Sequence, residues 1–267
     1  MPILMNKMTK FLPKLILLTG FSIVAAVISG CVTTTVGEPE TEADLKEAAG
    51  LNLQLGISYY QQRNMTAARE KLEKALEQQP DLPEAHQMLG RVYQAMGEMD
   101  EAEPAYRKSV DLAPRDPGII NDYAAFLCFE RGEVNRALKY FDQAIRIPLN
   151  ENRNILYFNA ARCAADTDPE RAETYLRTAM AADPNNPAIM LQLGALAYKQ
   201  GQYLQARVFL ERTMALMEEP SPMTLFLLSS SEAELGNTRA AQEYASQLIE
   251  KYPTSPEALK LQESGLR

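Results

Sequence analysis

"LQLGISYYQQRNMTAAREKLEKALEQQP" (residues 53–80) and "QMLGRVYQAMGEMDEAEPAYRKSVDLAP" (residues 87–114) superimpose with their landmarks in register. Leu55-Gly56 falls on Leu89-Gly90, Ala68 on Ala102, Leu72 on Tyr106 and Pro80 on Pro114, each pair 34 residues apart. A third stretch, "LQLGALAYKQGQYLQARVFLERTMALME" (residues 191–218), repeats the opening with Leu193-Gly194. Self-similarity at one fixed period, found in several registers at once, means that one supersecondary unit is used repeatedly.

Each unit reads as two helices. The first carries a large residue and then a small one, where the second helix must approach closely. Gly56, Gly90, Ala124, Ala160 and Gly194 fill that slot. The second helix presents small and large residues at spacings of four and three, which share one helical face. Examples are Ala68, Leu72 and Ala75, then Ala102, Tyr106 and Ser109, then Ala137, Phe141 and Ala144, then Ala172, Leu176 and Ala179. Gly97, Gly132, Gly201 and Gly236 stand at the inner turn, and Pro80, Pro114, Pro184 and Pro253 close second helices. The period resembles that of the tetratricopeptide repeat. It predicts an all-α chain, a right-handed superhelix of tetratricopeptide (TPR) repeats without sheet.

Six units fit, over 49–82, 83–116, 117–152, 153–186, 187–221 and 222–255, followed by a short capping helix over 256–267. Three irregularities stand out. The third unit has one extra residue between Leu127 and Gly132, which predicts a distorted turn or a bulged first helix. The fourth places Asn159 where the others have leucine or an aromatic, and the sixth lacks the Leu-Gly pair.

Ahead of the repeats, Lys7, Lys10 and Lys14 precede an apolar run from Leu15 to Ile28. That run is shorter than the ~18–20 residues needed to span a bilayer and has the length of a signal peptide, here residues 1–30. It stops at "ISGC" (28–31), which resembles a bacterial lipobox. The resemblance implies that Cys31 becomes the first residue of the mature chain, with lipid on its thiol and its amine. A thiol suits this chemistry because its thiolate is a good nucleophile and the thioether formed is stable. Several acyl chains anchor firmly where one binds marginally. Val32 follows the cysteine where an aspartate would signal inner-membrane retention, so the resemblance implies an outer-membrane location on the periplasmic face. Residues 31–48 then read as a lipidated N-terminus and tether.

The sequence offers little for catalysis. His86 is the single histidine, so no histidine metal cluster and no Ser-His-Asp triad can form. It lies three residues before Leu89 and reads as a structural side chain. Glycines are spread through the repeats, so no phosphate-cradling loop is present. The formal net charge of −8, with no stripe of lysine or arginine, argues against nucleic acid. No enzymatic activity, cofactor or small-molecule substrate is expected. Cys128 and Cys163 fall on the first helices of neighbouring units; buried free thiols are the plainer reading, with a disulfide open in an oxidising compartment.

A repeat array binds through its concave face, built from first-helix residues that point away from the second helix. Leu53, Ile57 and Tyr60 in the first unit and Gln87, Arg91 and Gln94 in the second are the candidate partner-binding residues. Leu53, Ile57 and Tyr60 form one apolar stripe, while Leu55, Gly56 and Tyr59 are read as the stripe that meets the second helix. Leu53 and Ile57 pack either against a neighbouring element or against a partner.

A lipobox, a short tether and six such repeats resemble the type IV pilus biogenesis/stability lipoproteins, the PilF/PilW family of pilotins. "NDYAAFLCFERGEVNRALKYFDQAI" (121–145), with its extra residue before Gly132, resembles their third repeat most closely. The resemblance implies an outer-membrane protein that binds the pilus secretin subunit and assists its localisation and multimer assembly. It also implies that Leu53, Ile57 and Tyr60 form the groove for the secretin. The alternative is a scaffold for another cell-envelope complex, such as an adaptor for a peptidoglycan enzyme.

Overall fold

The computed structural model describes residues 41–148 and 153–263. The expected signal peptide, Cys31 and the stretch up to residue 40 lie outside the described residues. Those described form thirteen α-helices and no strand. The helices pair as α1 (Glu42–Gln61) with α2 (Met65–Gln78), α3 (Pro83–Met96) with α4 (Met99–Leu112), α5 (Pro117–Phe129) with α6 (Val134–Ile145), α7 (Arg153–Ala164) with α8 (Pro169–Ala182), α9 (Pro187–Lys199) with α10 (Tyr203–Ala215), and α11 (Pro222–Glu234) with α12 (Thr238–Lys251). Each second helix also packs on the first helix of the next pair, and first helices touch first helices, as α3 does α5 and α5 does α7. A final helix, α13 (Pro256–Glu263), buries Ala258 and Leu261 against Leu225, Ala245 and Leu248.

The first helix begins at Glu42, inside the 31–48 stretch expected to be tether. Thr41 makes a capping box: its hydroxyl accepts from the Asp44 N–H at 3.2 Å, and Asp44 accepts from the Thr41 N–H at 2.9 Å.

The small-residue slot is a steric requirement. A Cβ added at Gly56 would stand 2.6 Å from Leu72 Cγ, one at Gly90 2.9 Å from Tyr106 Cγ, and one at Gly194 2.7 Å from Leu210 Cγ. The sixth unit keeps the slot with Ser229, seven residues before Gly236 as Gly90 is before Gly97. Its buried hydroxyl donates to the Ala241 carbonyl at 2.9 Å. Asn159 is accounted for too, since its amide donates to Asn121 Oδ1 at 2.9 Å. His86 has its Nε2 2.8 Å from the Pro80 carbonyl oxygen, just past the end of α2, which is a structural role.

Five of the six inner turns use a left-handed residue; the fourth, with Thr167 there, does not. Gly97, Gly132, Gly201 and Gly236 have φ of 80°, 68°, 74° and 79°. In the first unit Arg63 occupies the same position with φ 60°. A side chain there costs roughly 1–2 kcal/mol, partly offset by the greater freedom glycine has when unfolded. Arg63→Gly is therefore expected to raise stability by about 0.5–1 kcal/mol. A melting temperature unchanged or lowered in that variant would show that Arg63 has contacts worth more than the strain.

The extra residue of the third unit is absorbed by the turn, and α5 itself is regular. In the second and fifth units the turn closes with Glu98 N–H to Tyr93 O and Gln202 N–H to Ala197 O, both 2.9 Å. In the third it closes one residue wider, with Glu133 N–H to Leu127 O at 2.8 Å. Phe129 is left 43% exposed at the end of α5, followed by exposed Glu130.

Two expectations are corrected. Cys128 and Cys163 are joined by a disulfide with their Cα atoms 5.9 Å apart, and are not free thiols. Successive first helices lie side by side, so residues about one repeat apart become neighbours, and α5 and α7 are in contact there. Leu55, expected to meet the second helix, is 46% exposed, whereas its counterparts Leu89 and Leu193 are buried. The physical reason is the end of the array. The second helix of the preceding unit covers such a residue, and no described element precedes α1.

Candidate partner-binding groove

The inner face is lined by first helices. Between α1, α3 and α5 lies a cavity of about 380 Å³ with Tyr60, Arg91, Gln94, Ala125 and Phe129 on its walls and Tyr106 and Phe126 at its floor. A second cavity of about 290 Å³ lies between α3, α5 and α7, lined by Gln87, Arg91, Asn121, Ile155 and Leu156 among others. Arg91 and Asp122 belong to both.

That shared pair is a polar ridge. Arg91 Nη2 and Nε lie 2.6 and 2.7 Å from Asp122 Oδ2, and Gln87 Nε2 donates to the same oxygen at 2.6 Å. Beside it the Tyr106 hydroxyl donates to Gln94 Oε1 at 2.8 Å, and Gln94 Nε2 donates to Glu130 at 3.0 Å. Burial pushes the Tyr106 hydroxyl well above the ordinary tyrosine range, and the Asp122 carboxylate pushes it further. It therefore stays protonated and a donor at any physiological pH. The Tyr106 and Phe126 rings, 5.1 Å apart, make the floor rigid.

Away from this face two charged networks tie neighbouring units together. Arg136 bonds Glu103, Glu133 and the Tyr123 hydroxyl, and Asp142 accepts from Arg171 and Tyr175. Burial, with the Asp142 contact, pushes the Tyr175 hydroxyl up to about 12.

Of the six residues singled out from sequence, Tyr60, Gln87, Arg91 and Gln94 come together around these two cavities. Leu53 and Ile57 do not line either one. They are half-buried and pack against the cluster of Ala68, Leu72, Met88, Leu89 and Val92 that joins the first two units. Asp122, Phe129 and Glu130 were missed. Asp122 lies within the 121–145 stretch that carries the family resemblance, and the inserted residue of the third unit was the signal for the other two.

The groove lies on a scaffold built of helical pairs. Tetratricopeptide-repeat family models match residues 47–115, 164–220 and 223–255. The chain belongs to the tetratricopeptide-repeat proteins. Within them it is a homologue of the type IV pilus assembly protein PilF of Pseudomonas aeruginosa, with 29% identity over 189 residues, covering 70% of this chain and 75% of that protein. The fold is similar to the crystal structure of PilW, described as a widely conserved type IV pilus biogenesis factor, with a TM-score of 0.75 and 27% identity over 80% of this chain and 97% of that one. It is similar also to a solved Pseudomonas aeruginosa PilF structure, with a TM-score of 0.71 and 27% identity over 82% and 99% of the two chains.

Proposed function

We propose that the chain is an outer-membrane lipoprotein of type IV pilus biogenesis. It binds the pilus secretin through the inner face of its first units and assists the secretin's localisation and multimer assembly. The observation that carries this reading is the groove around Tyr60, Gln87, Arg91 and Gln94, in a chain homologous to PilF over most of the length of both. Standing apolar and hydrogen-bonding groups on a rigid floor suit a protein segment better than a reaction, because no nucleophile, base and orienting group converge there.

The anchor is part of the proposal. Among the described residues no helix is long and apolar enough to cross a membrane. Lipidation at Cys31 supplies the attachment, and Cys31→Ser is expected to release the protein from the membrane fraction. Mass spectrometry of the mature N-terminus should find an acylated residue 31; an unmodified Met1 on the membrane-bound form would refute it. Co-purification of the full-length protein from native membranes tests the partner. Recovery of the secretin supports the reading, and recovery of a peptidoglycan enzyme in its place overturns it in favour of another envelope scaffold.

A further inference from the structure

We propose that the cavity between α1, α3 and α5 is a receptor for a cationic side chain, lysine or arginine, presented by the protein partner. This rests on the partner-binding reading of the groove. Charge balance in a cavity with aromatic walls favours such a guest. Arg91 and Asp122 neutralise one another at 2.6 Å. Glu130, at the mouth, receives a hydrogen bond only from the neutral amide of Gln94 and has no ion pair among the described residues. The cavity therefore keeps one uncompensated carboxylate beside the rings of Tyr60, Tyr106, Phe126 and Phe129.

Rings next to a carboxylate suit a lysine or arginine. The apolar stem lies against the rings, the charge meets the acid, and the faces of the rings attract a cation. Phe129 already shows the preference, since the exposed Arg162 guanidinium lies over its ring, 4.7 Å from the centroid.

What sets this acid apart is that it is unpaired among the described residues: in the fourth unit the equivalent position holds Asp166, which Lys199 neutralises, and in three other units it holds no charge. The residues just before Gly97, Gly201 and Gly236 are Met96, Gln200 and Leu235, all uncharged. In the third unit the inserted residue widens the turn, and Glu130 reaches the mouth ahead of Arg131. Arg131 itself is engaged elsewhere, with Asp100 at 3.2 Å and Glu103 at 3.4 Å. Folding of the unit does not require a charge at 130: its backbone N–H to Phe126 O is independent of the side chain, and the exposed hydrogen bond from Gln94 is one that a neutral amide oxygen could also accept.

The test titrates the full-length protein in detergent with fluorescein-labelled capped peptides, alanine-rich with a central arginine, citrulline or glutamate, read by anisotropy up to millimolar concentration. The arginine peptide is expected to bind about tenfold more tightly than its neutral citrulline isostere. Raised salt should erode that ratio. Glu130→Gln, at an exposed position, is expected to abolish the ratio, and Phe129→Ala to weaken the arginine peptide several-fold while circular dichroism is unchanged. No binding of the arginine peptide, or equal binding of arginine and citrulline peptides, overturns the inference. Secretin binding by the same preparations separates the two readings. Arginine selectivity lost in Glu130→Gln, with no secretin bound by the wild-type chain, supports the pocket and removes the assigned partner. Secretin bound equally by wild type and Glu130→Gln, with no arginine selectivity, removes the pocket alone.

Discussion

The double variant Cys128→Ala/Cys163→Ala is expected to unfold with about 3–4 kcal/mol less stability than the parent. The bridge closes a loop with a sequence separation of 35 and joins α5 to α7 across the third and fourth units. A cross-link of that span removes much of the conformational freedom of the unfolded chain, which is the main origin of the estimate. One of its anchors, Cys128, adjoins the turn that carries the third unit's extra residue. The check is urea unfolding with and without reductant. The parent in reductant should approach the double variant, and the double variant should not respond. Equal midpoints for oxidised parent and double variant would mean that the packing of α5 on α7 holds this join unaided.

The second large effect is steric. Gly90→Val is expected to cost about 3 kcal/mol or more, although leaving glycine improves helix propensity by up to ~1 kcal/mol. Its Cβ would meet Tyr106 Cγ and Cδ1, both at 2.9 Å. That ring has nowhere to go: it is 1% exposed and packs on Phe126. Gly50→Ala is the control, since nothing lies within 4 Å of a Cβ there. It lies inside α1 and should stabilise by up to about 1 kcal/mol. Thermal melts of the two variants shifting the same way would contradict the slot as the organising contact between helices. Gly90→Val also displaces the floor of the groove, so it should weaken partner binding along with the fold.

Much of this was legible in the sequence because the repeat samples each position several times. Gly56, Gly90 and Gly194 point to one close approach, and the positive φ at Gly97, Gly201 and Gly236 is what glycine at a recurring turn implies. Where the pattern broke, pattern-reading lost its guide. Ser229 keeps the slot of the sixth unit through a hydrogen bond instead of through the absence of a side chain. Leu55 looked like Leu89 in sequence, yet its exposure depends on what lies before the first unit. The disulfide depended on a distance between first helices that two isolated cysteines cannot reveal.

The groove was legible in part for the same reason. Tyr60, Arg91 and Gln94 sit on the inner stripe at repeat spacing, and they do meet. Leu53 and Ile57 share that stripe but are drawn into the contact with the second unit by Met88 and Val92. Their apolar character is thus explained by packing, and the partner-facing role shifts toward Tyr60 and the residues of the second and third units. Asp122 and Glu130 act through partners 31 to 36 residues away, in Arg91, Gln87 and Gln94, and such cross-unit bonds have no local signature.

The most direct test of the account is the affinity of the full-length protein for the purified secretin, measured by calorimetry for wild type and Tyr60→Ala. Tyr60 is half-buried at the wall of the cavity and its removal leaves the floor intact. An interface anchor of this kind contributes roughly 1–3 kcal/mol, so Kd should rise about tenfold or more while helicity is kept; Tyr60 also packs on the Leu72, Met88 and Val92 cluster, so the melting temperature should fall modestly and Kd is measured well below it. An unchanged Kd in a folded Tyr60→Ala protein would contradict the assignment of the secretin to this groove.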